Sequence, residues 1–141
     1  QREISASLSD AGADVIIGHH PHVVQPPEWI ENSRGMKTFV AYSLGNFISG
    51  QNGLHRQIGA VLTLDIKKPN PKYKEIVIEN PKYTLTFAQK EKRLKYGIYT
   101  FEDWIKENAY IKTDQKIFES EKVYNSVINR IKKKMPELSI R

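Results

Sequence analysis

Ala13-Asp14-Val15-Ile16-Ile17-Gly18-His19-His20-Pro21-His22-Val23 is the stretch that decides how this chain reads. Three of its four histidines follow directly on an apolar run that reads as a short buried strand. Open α/β folds place their sites at the carboxyl ends of strands. Imidazoles gathered at such an end suit metal binding better than packing. Some twenty residues on, Ala41-Tyr42-Ser43-Leu44-Gly45-Asn46-Phe47 is a second apolar run ending in small and polar residues. If the two strands are neighbours, their terminal loops lie side by side.

Outward from these strands the pattern is mixed. Ile4 and Leu8, four apart, read as the end of a helix over residues 3–11, with Gly12 just past its last turn. Pro21, Pro26 and Pro27 make residues 19–28 a loop, and residues 29–35 a turn with Asn32-Ser33-Arg34-Gly35 at its tip. A second strand covers residues 38–43, and a glycine- and asparagine-rich loop covers residues 45–53. Further strands are expected over residues 58–66, 75–79 and 83–87, the last a hairpin partner, with a turn at Pro69-Asn70-Pro71. A short helix fits residues 101–108. A longer one fits residues 114–135, with Asp114 near its start and Ile117, Tyr124, Val127, Ile128, Ile131 and Met135 along one face. Rising charge over residues 88–100 suggests a boundary, giving an α/β unit at 1–90 and a basic, largely helical extension at 91–141.

The 141 residues suffice for one domain with a real core. A hydrophobic fraction of 39% and a charged fraction of 27% fit a globular chain. No apolar run approaches the ~20 residues of a membrane helix. The chain lacks an initiator Met and is expected to be a piece of something longer. The absence of cysteine excludes disulfides, thiolate nucleophiles and zinc–thiolate sites. Charge is uneven: residues 1–66 carry 4 Lys+Arg against 6 Asp+Glu, whereas residues 67–141 carry 18 against 10. The basic part could meet an acidic polymer or an anionic surface, or simply be a solvated face. It lacks the interleaved aromatic and basic pattern of a nucleic-acid binder, so no nucleic-acid partner is expected.

His20 and His22 are the first candidate ligands, because Pro21 fixes the backbone that presents them. His19 either ligates or points back towards the helix. Asn46 can offer its amide to a metal or an anion, or merely take a turn conformation. Ser43 is a hydrogen-bond partner beside it rather than a nucleophile, since no G-x-S-x-G elbow surrounds it. Arg56 could hold an anionic substrate. Gln25 and Glu28 could orient imidazoles from behind, or face solvent.

Residues 12–28 followed by Tyr42-Ser43-Leu44-Gly45-Asn46-Phe47 resemble the poly-γ-glutamate capsule-synthesis CapA family, related to the calcineurin-like metallophosphoesterases. The resemblance covers residues from about 3 to 66. It implies an α/β fold, the C-terminal part of a two-sheet metallophosphoesterase sandwich flanked by helices, with a C-terminal helical extension. It also implies two divalent ions (Mn, Fe or Zn) at the strand ends, with His20-Pro21-His22 in the place of the superfamily's Gly-His-x-His motif. His20, His22 and Asn46 would then be the catalytic residues, His19 a further metal ligand, and Ser43 and Arg56 substrate-binding. The superfamily's Asp-x-His, Gly-Asp and Gly-Asn-His-Glu motifs are absent from this sequence. The expected partners are therefore an N-terminal half of the domain, membrane capsule-synthesis proteins and an anionic polymer or phosphoester. The expected location is the extracellular face of the cell membrane. Two other readings stay open: a non-catalytic module that binds an acidic polymer or scaffolds a synthase, and a nucleotide or nucleic-acid phosphodiesterase.

Overall fold

A computed structural model describes residues 1–70, 72, 76–92, 95–113 and 116–141, without the side chains of Glu91 and Lys92. Pro71, Glu75 and Asp114, expected in a turn, at a strand start and at a helix start, lie outside the described residues. The chain opens with helix α1 (Arg2–Asp10), then strands β1 (Val15–Ile17), β2 (Glu28–Glu31), β3 (Lys37–Ala41), β4 (Ile58–Lys67), β5 (Val77–Lys92) and β6 (Lys95–Thr100). Helix α2 (Phe101–Glu107), β7 (Tyr110–Lys112), β8 (Ile117–Glu119), helix α3 (Ser120–Lys132) and β9 (Ser139–Ile140) complete it. A mixed α/β arrangement results, with strand order β1-β3-β2 in one sheet and β4-β5-β6 in another, where β9 also pairs with β5. β7 and β8 form a separate ribbon.

The two strands that carry the sequence argument are neighbours: β1 runs parallel to β3, with Val15 opposite Phe39 and Ile17 opposite Ala41. Their ends are joined further, since Gly18 N–H donates to the Ala41 carbonyl and Leu44 N–H to the Gly18 carbonyl. β1 is an edge strand, only half-buried, with Ile17 exposed, and not the buried strand expected from its composition. Trp29 and its neighbours form a strand rather than part of a turn. β2 pairs antiparallel with β3 around a turn at Asn32–Gly35, where Asn32 Oδ1 accepts from the Arg34 and Met36 N–H groups.

Helix α1 packs on its small polar face. Ser5 and Ser9 are buried, whereas Ile4 and Leu8 are 66% and 44% exposed. Ser9 Oγ lies 2.7 Å from Thr38 Oγ1, and Asn32 Nδ2 donates to the Ser9 carbonyl at 3.0 Å. Serines let helix and sheet approach closely while satisfying each other's polar atoms, which isoleucine and leucine could not do. Gly12 ends the helix at φ 102°, the left-handed conformation that glycine adopts without strain.

The strands expected at 75–79 and 83–87 are one strand, and their antiparallel partner is β4, not each other. Asn80 and Pro81 sit at a bulge between the Asp65–Glu79 and Thr63–Lys82 pairs. Asn80 takes φ 51°, and its Nδ2 donates to Asp65 Oδ2 at 2.7 Å. A bulge absorbs a proline without ending the strand.

The long helix begins at Ser120, not near residue 114, and Ile117 belongs to β8, where it is exposed. Val123, Val127, Ile131 and, beyond the helix, Met135 turn inwards at helical spacing. They join Phe39, Ala41, Ile58, Leu85, Phe87 and Phe101 in one core. Residue 90 lies inside β5, and the core takes side chains from both sides of it. Phe87 stacks on Phe101 with centroids 5.3 Å apart, carrying α2 onto the sheet. Tyr83 is fully buried; its hydroxyl finds no partner among the described residues, and burial pushes its pKa upward.

Candidate functional site at the strand ends

Beyond β1 the chain folds into a tight turn in which His22 N–H donates to the His19 carbonyl at 3.1 Å. His20 and Pro21 are its two central residues. Closing the turn brings its first and last residues together, so His19 and His22 line one cleft and His20 stands at the exposed corner. The expected His20–His22 pairing is therefore replaced in this cleft by His19 with His22. His22 itself has φ 58°, a left-handed conformation uncommon outside glycine although tolerated by histidine. Such strain persists only where the surroundings hold it and often marks a functional position.

The cleft has a volume of about 270 Å³, and Leu44, Asn46, Phe47, Ile48 and Ala60 complete its walls. Two isolated bridges set it at the seam between the sheets: Val24 opposite Leu44, and Gly45 opposite Gly59. Gly59 is required by proximity, since a Cβ there would stand 2.4 Å from the Asn46 carbonyl oxygen. From the far end of the chain, Arg130 of α3 donates to the Val24 carbonyl at 3.0 Å and so holds the exit of the histidine loop.

Asn46 meets His22 directly, with Oδ1 2.8 Å from the imidazole Nδ1. Asn46 Nδ2 donates to the Arg56 carbonyl at 3.1 Å and to Gln51 Oε1 at 3.2 Å. Gln51 went unremarked in the sequence. Its one signal was membership of the glycine- and asparagine-rich loop. His22 Nε2 makes no hydrogen bond among the described residues, so Nε2 is the ring nitrogen left for a ligand.

The other expected residues lie elsewhere. Ser43 is fully buried, and its Oγ accepts from the Gly45 N–H at 3.2 Å, so it shapes the turn and presents nothing to a substrate. Arg56 contributes its carbonyl to Asn46, while its guanidinium reaches the Asn52 carbonyl at 3.4 Å and does not line the cleft. Gln25 and Glu28 turn away from the imidazoles. Gln25 accepts from Gln1 Nε2, and Glu28 accepts from the Tyr42 hydroxyl at 2.6 Å with Arg2 3.7 Å away. Burial and this carboxylate push the Tyr42 hydroxyl up to about 12.

Imidazole nitrogen suits Zn, Fe or Mn, and a free His22 Nε2 beside His19 fits such an ion as part of a ligand set. Among the described residues no three His, Cys, Asp or Glu side chains converge to complete one. No helix among them is long and apolar enough to cross a membrane.

Comparison with known proteins places the same segment in context. The profile of the family described as Bacterial capsule synthesis protein PGA_cap matches residues 1–51. The "PGA biosynthesis protein CapA" of Bacillus subtilis (strain 168) is 44% identical over 68 residues, 48% of this chain and 17% of that protein. The "Capsule biosynthesis protein CapA" of Bacillus anthracis is 33% identical over 67 residues, 48% of this chain and 15% of that protein. The chain thus spans a small part of the length of these relatives. No solved structure matches it.

Proposed function

We propose, from the match of residues 1–51 to the bacterial capsule synthesis PGA_cap family, that this chain contributes the last imidazole ligands of a metal-dependent, phosphoesterase-type site in a CapA-like capsule-synthesis protein. The observation that carries this reading is His22, with Nδ1 held by Asn46 and Nε2 free in a cleft it shares with His19. Two imidazoles are too few for a catalytic centre, which usually takes three protein ligands and keeps one open position. The remaining ligands, carboxylates above all, would come from elsewhere in the protein. That arrangement agrees with a calcineurin-like sandwich in which the present sheets form the C-terminal part. A divalent ion held there would supply an activated water and neutralise charge on a phosphoester. The chain's own share is to present two imidazoles at the seam of two sheets, in a cleft that Leu44 and Ala60 also line. Capsule synthesis is the setting that the relatives' names support, and the outer face of the cell membrane is the location that goes with this reading.

Metal content of the longer protein that supplies the remaining ligands, purified without chelator, tests the reading. Mn, Fe or Zn bound by the wild type and lost in His22→Ala supports it. Equal metal in both, or none at millimolar supply, refutes the assignment of ligands to this cleft.

A second reading rests on a separate observation. A polar cleft of about 160 Å³ beside the glycine-rich loop is lined by Lys90, Lys112, Gln51, Gln57, Gln89 and Tyr96 among others. Neither lysine makes an ion pair with a described residue. Two cations among amide groups suit a polycarboxylate, in keeping with a module that binds an acidic polymer. Salt-sensitive binding of polyglutamate, weakened by Lys90→Gln/Lys112→Gln and unchanged by His22→Ala, would support this over the metal site.

A further inference from the structure

We infer that Asn46 is a positioning residue that fixes the tautomer of His22, and that the backbone carbonyl of Arg56 fixes the orientation of Asn46. A backbone carbonyl oxygen can only accept a hydrogen bond. The Arg56 oxygen lies 3.1 Å from the Asn46 amide, so the nitrogen of that amide faces it. Gln51 Oε1, at 3.2 Å, takes the second hydrogen on Nδ2. Oδ1 of Asn46 is then the atom 2.8 Å from His22 Nδ1. Since Oδ1 only accepts, Nδ1 must carry the hydrogen. A neutral imidazole has one N–H, so Nε2 holds the lone pair.

The opposite orientation of Asn46 is disfavoured at two places. It would set amide oxygen against carbonyl oxygen at Arg56, and it would bring a second oxygen towards Gln51 Oε1. Gln51 could answer by turning its own amide over, but the Arg56 carbonyl cannot. The fixed group is therefore backbone, and the information passes from Arg56 through Asn46 to the ring.

Backbone packing makes the relay rigid. Gly45, immediately before Asn46, takes φ 67° and lies so close to β4 that a Cβ would stand 2.6 Å from the Ile58 carbonyl oxygen. Gly59 presses on the Asn46 carbonyl from the other side. Asn46 is thus clamped by β4 before its side chain meets the imidazole, and His22 is held at the end of its own turn. The outcome is a lone pair directed away from Asn46, in a ring lining the cleft shared with His19. A ligating imidazole requires such an arrangement, with its other nitrogen donating to an oxygen. The use of the lone pair rests on the proposed metal site; the tautomer is a property of the chain alone.

The test is a long-range ¹H–¹⁵N spectrum of the uniformly labelled chain, metal-free, in the pH range where imidazole is neutral. Nδ1 and Nε2 then give distinct protonated and unprotonated shifts. His22 is expected as the Nδ1–H form. Asn46→Leu removes the acceptor and moves the tautomer ratio about tenfold towards Nε2–H. Asn46→Asp loses the donation to the Arg56 carbonyl, yet either of its oxygens can only accept from the ring, so Nδ1–H is retained. Gln51→Ala leaves the ratio as in the wild type, because the Arg56 carbonyl still orients Asn46. An Nε2–H form of His22 in the wild type overturns the inference, as does a folded Asn46→Leu with an unchanged ratio. Should Asn46→Leu fail to fold, the wild type, Asn46→Asp and Gln51→Ala still decide. An Nδ1–H form, with no metal bound by the longer protein that carries the remaining ligands, sinks the metal reading and leaves the tautomer standing. Metal binding by a chain with the Nε2–H form does the reverse.

Discussion

Truncating Ile131 to alanine asks whether the last helix and the histidine-bearing sheet are one cooperative body. Ile131 is 0% exposed and belongs to the cluster that also holds Phe39, Phe87 and Phe101. The substitution removes three carbons, about 2.4 kcal/mol of transfer free energy at ~0.8 kcal/mol per methylene. The cavity left behind adds to this, because a core fixed by strands on one side relaxes only partly. A total of about 3–4 kcal/mol falls within the range for Ile→Ala at buried sites. Unfolding entropy of ~2.1 cal/mol/K per residue makes each kcal/mol worth ~3 °C for a chain of this length. The melting temperature should therefore fall by about 10 °C. The two tryptophans make the assay informative, since Trp29 lies in β2 and Trp104 in α2. Fluorescence melts in Trp29→Phe and Trp104→Phe backgrounds each report one end of the molecule. Both should shift together on Ile131→Ala. A fall at Trp104 with Trp29 unmoved would refute the single core and divide the chain near residue 90.

Gly59→Ala forces a methyl to within 2.4 Å of the Asn46 carbonyl oxygen and 2.8 Å of Thr86 Oγ1, so thermal melts should show a loss of about 2–3 kcal/mol. Tyr83→Phe removes a buried hydroxyl without a partner among the described residues, and denaturant titration should find the variant as stable as the wild type or about 1 kcal/mol more so. The Ser33 N–H and side chain beside Asp10 hold its carboxyl below the usual 3.8. The resulting stability is present above the ordinary carboxylate range and is lost as pH falls through the lowered folded value. Asp10→Asn should therefore melt lower than wild type at neutral pH, with the gap closing in that acidic window. A gap that stays constant down to the lowest measurable pH would remove Asp10 from the account.

The two strand ends were legible because they rest on local signals. Apolar runs ending in histidines, or in glycine and asparagine, mark strand ends whatever the tertiary context, and β1 and β3 do lie side by side. Which histidines line the cleft was not legible. Spacing alone favours His20 with His22, whereas the turn closed by His22 N–H onto His19 pairs the first histidine with the last. The two strands expected at 75–79 and 83–87 merge because the residues between them sit in a bulge, and the bulge is set by the facing strand. Ile4 and Leu8 misled: helical spacing identifies a face but not what covers it, and hydrogen bonds to Thr38 and Asn32 select the serine face. The short strands β7 to β9 were missed because two or three residues carry too little periodicity to register, and β6 was missed because its charged flank read as a boundary.

The hydrogen bond from Arg130 to the Val24 carbonyl joins residues 106 positions apart. A ribosome adding about 5–20 residues each second delivers the histidine turn roughly 5–20 seconds before the helix that clasps it. During that interval the turn has strand ends beneath it but no clasp above. The cleft is therefore among the last features to mature, and a cell that stalls or clips the chain before Arg130 obtains a protein whose imidazoles are present but unset. The setting of the histidine turn thereby waits on the synthesis of α3.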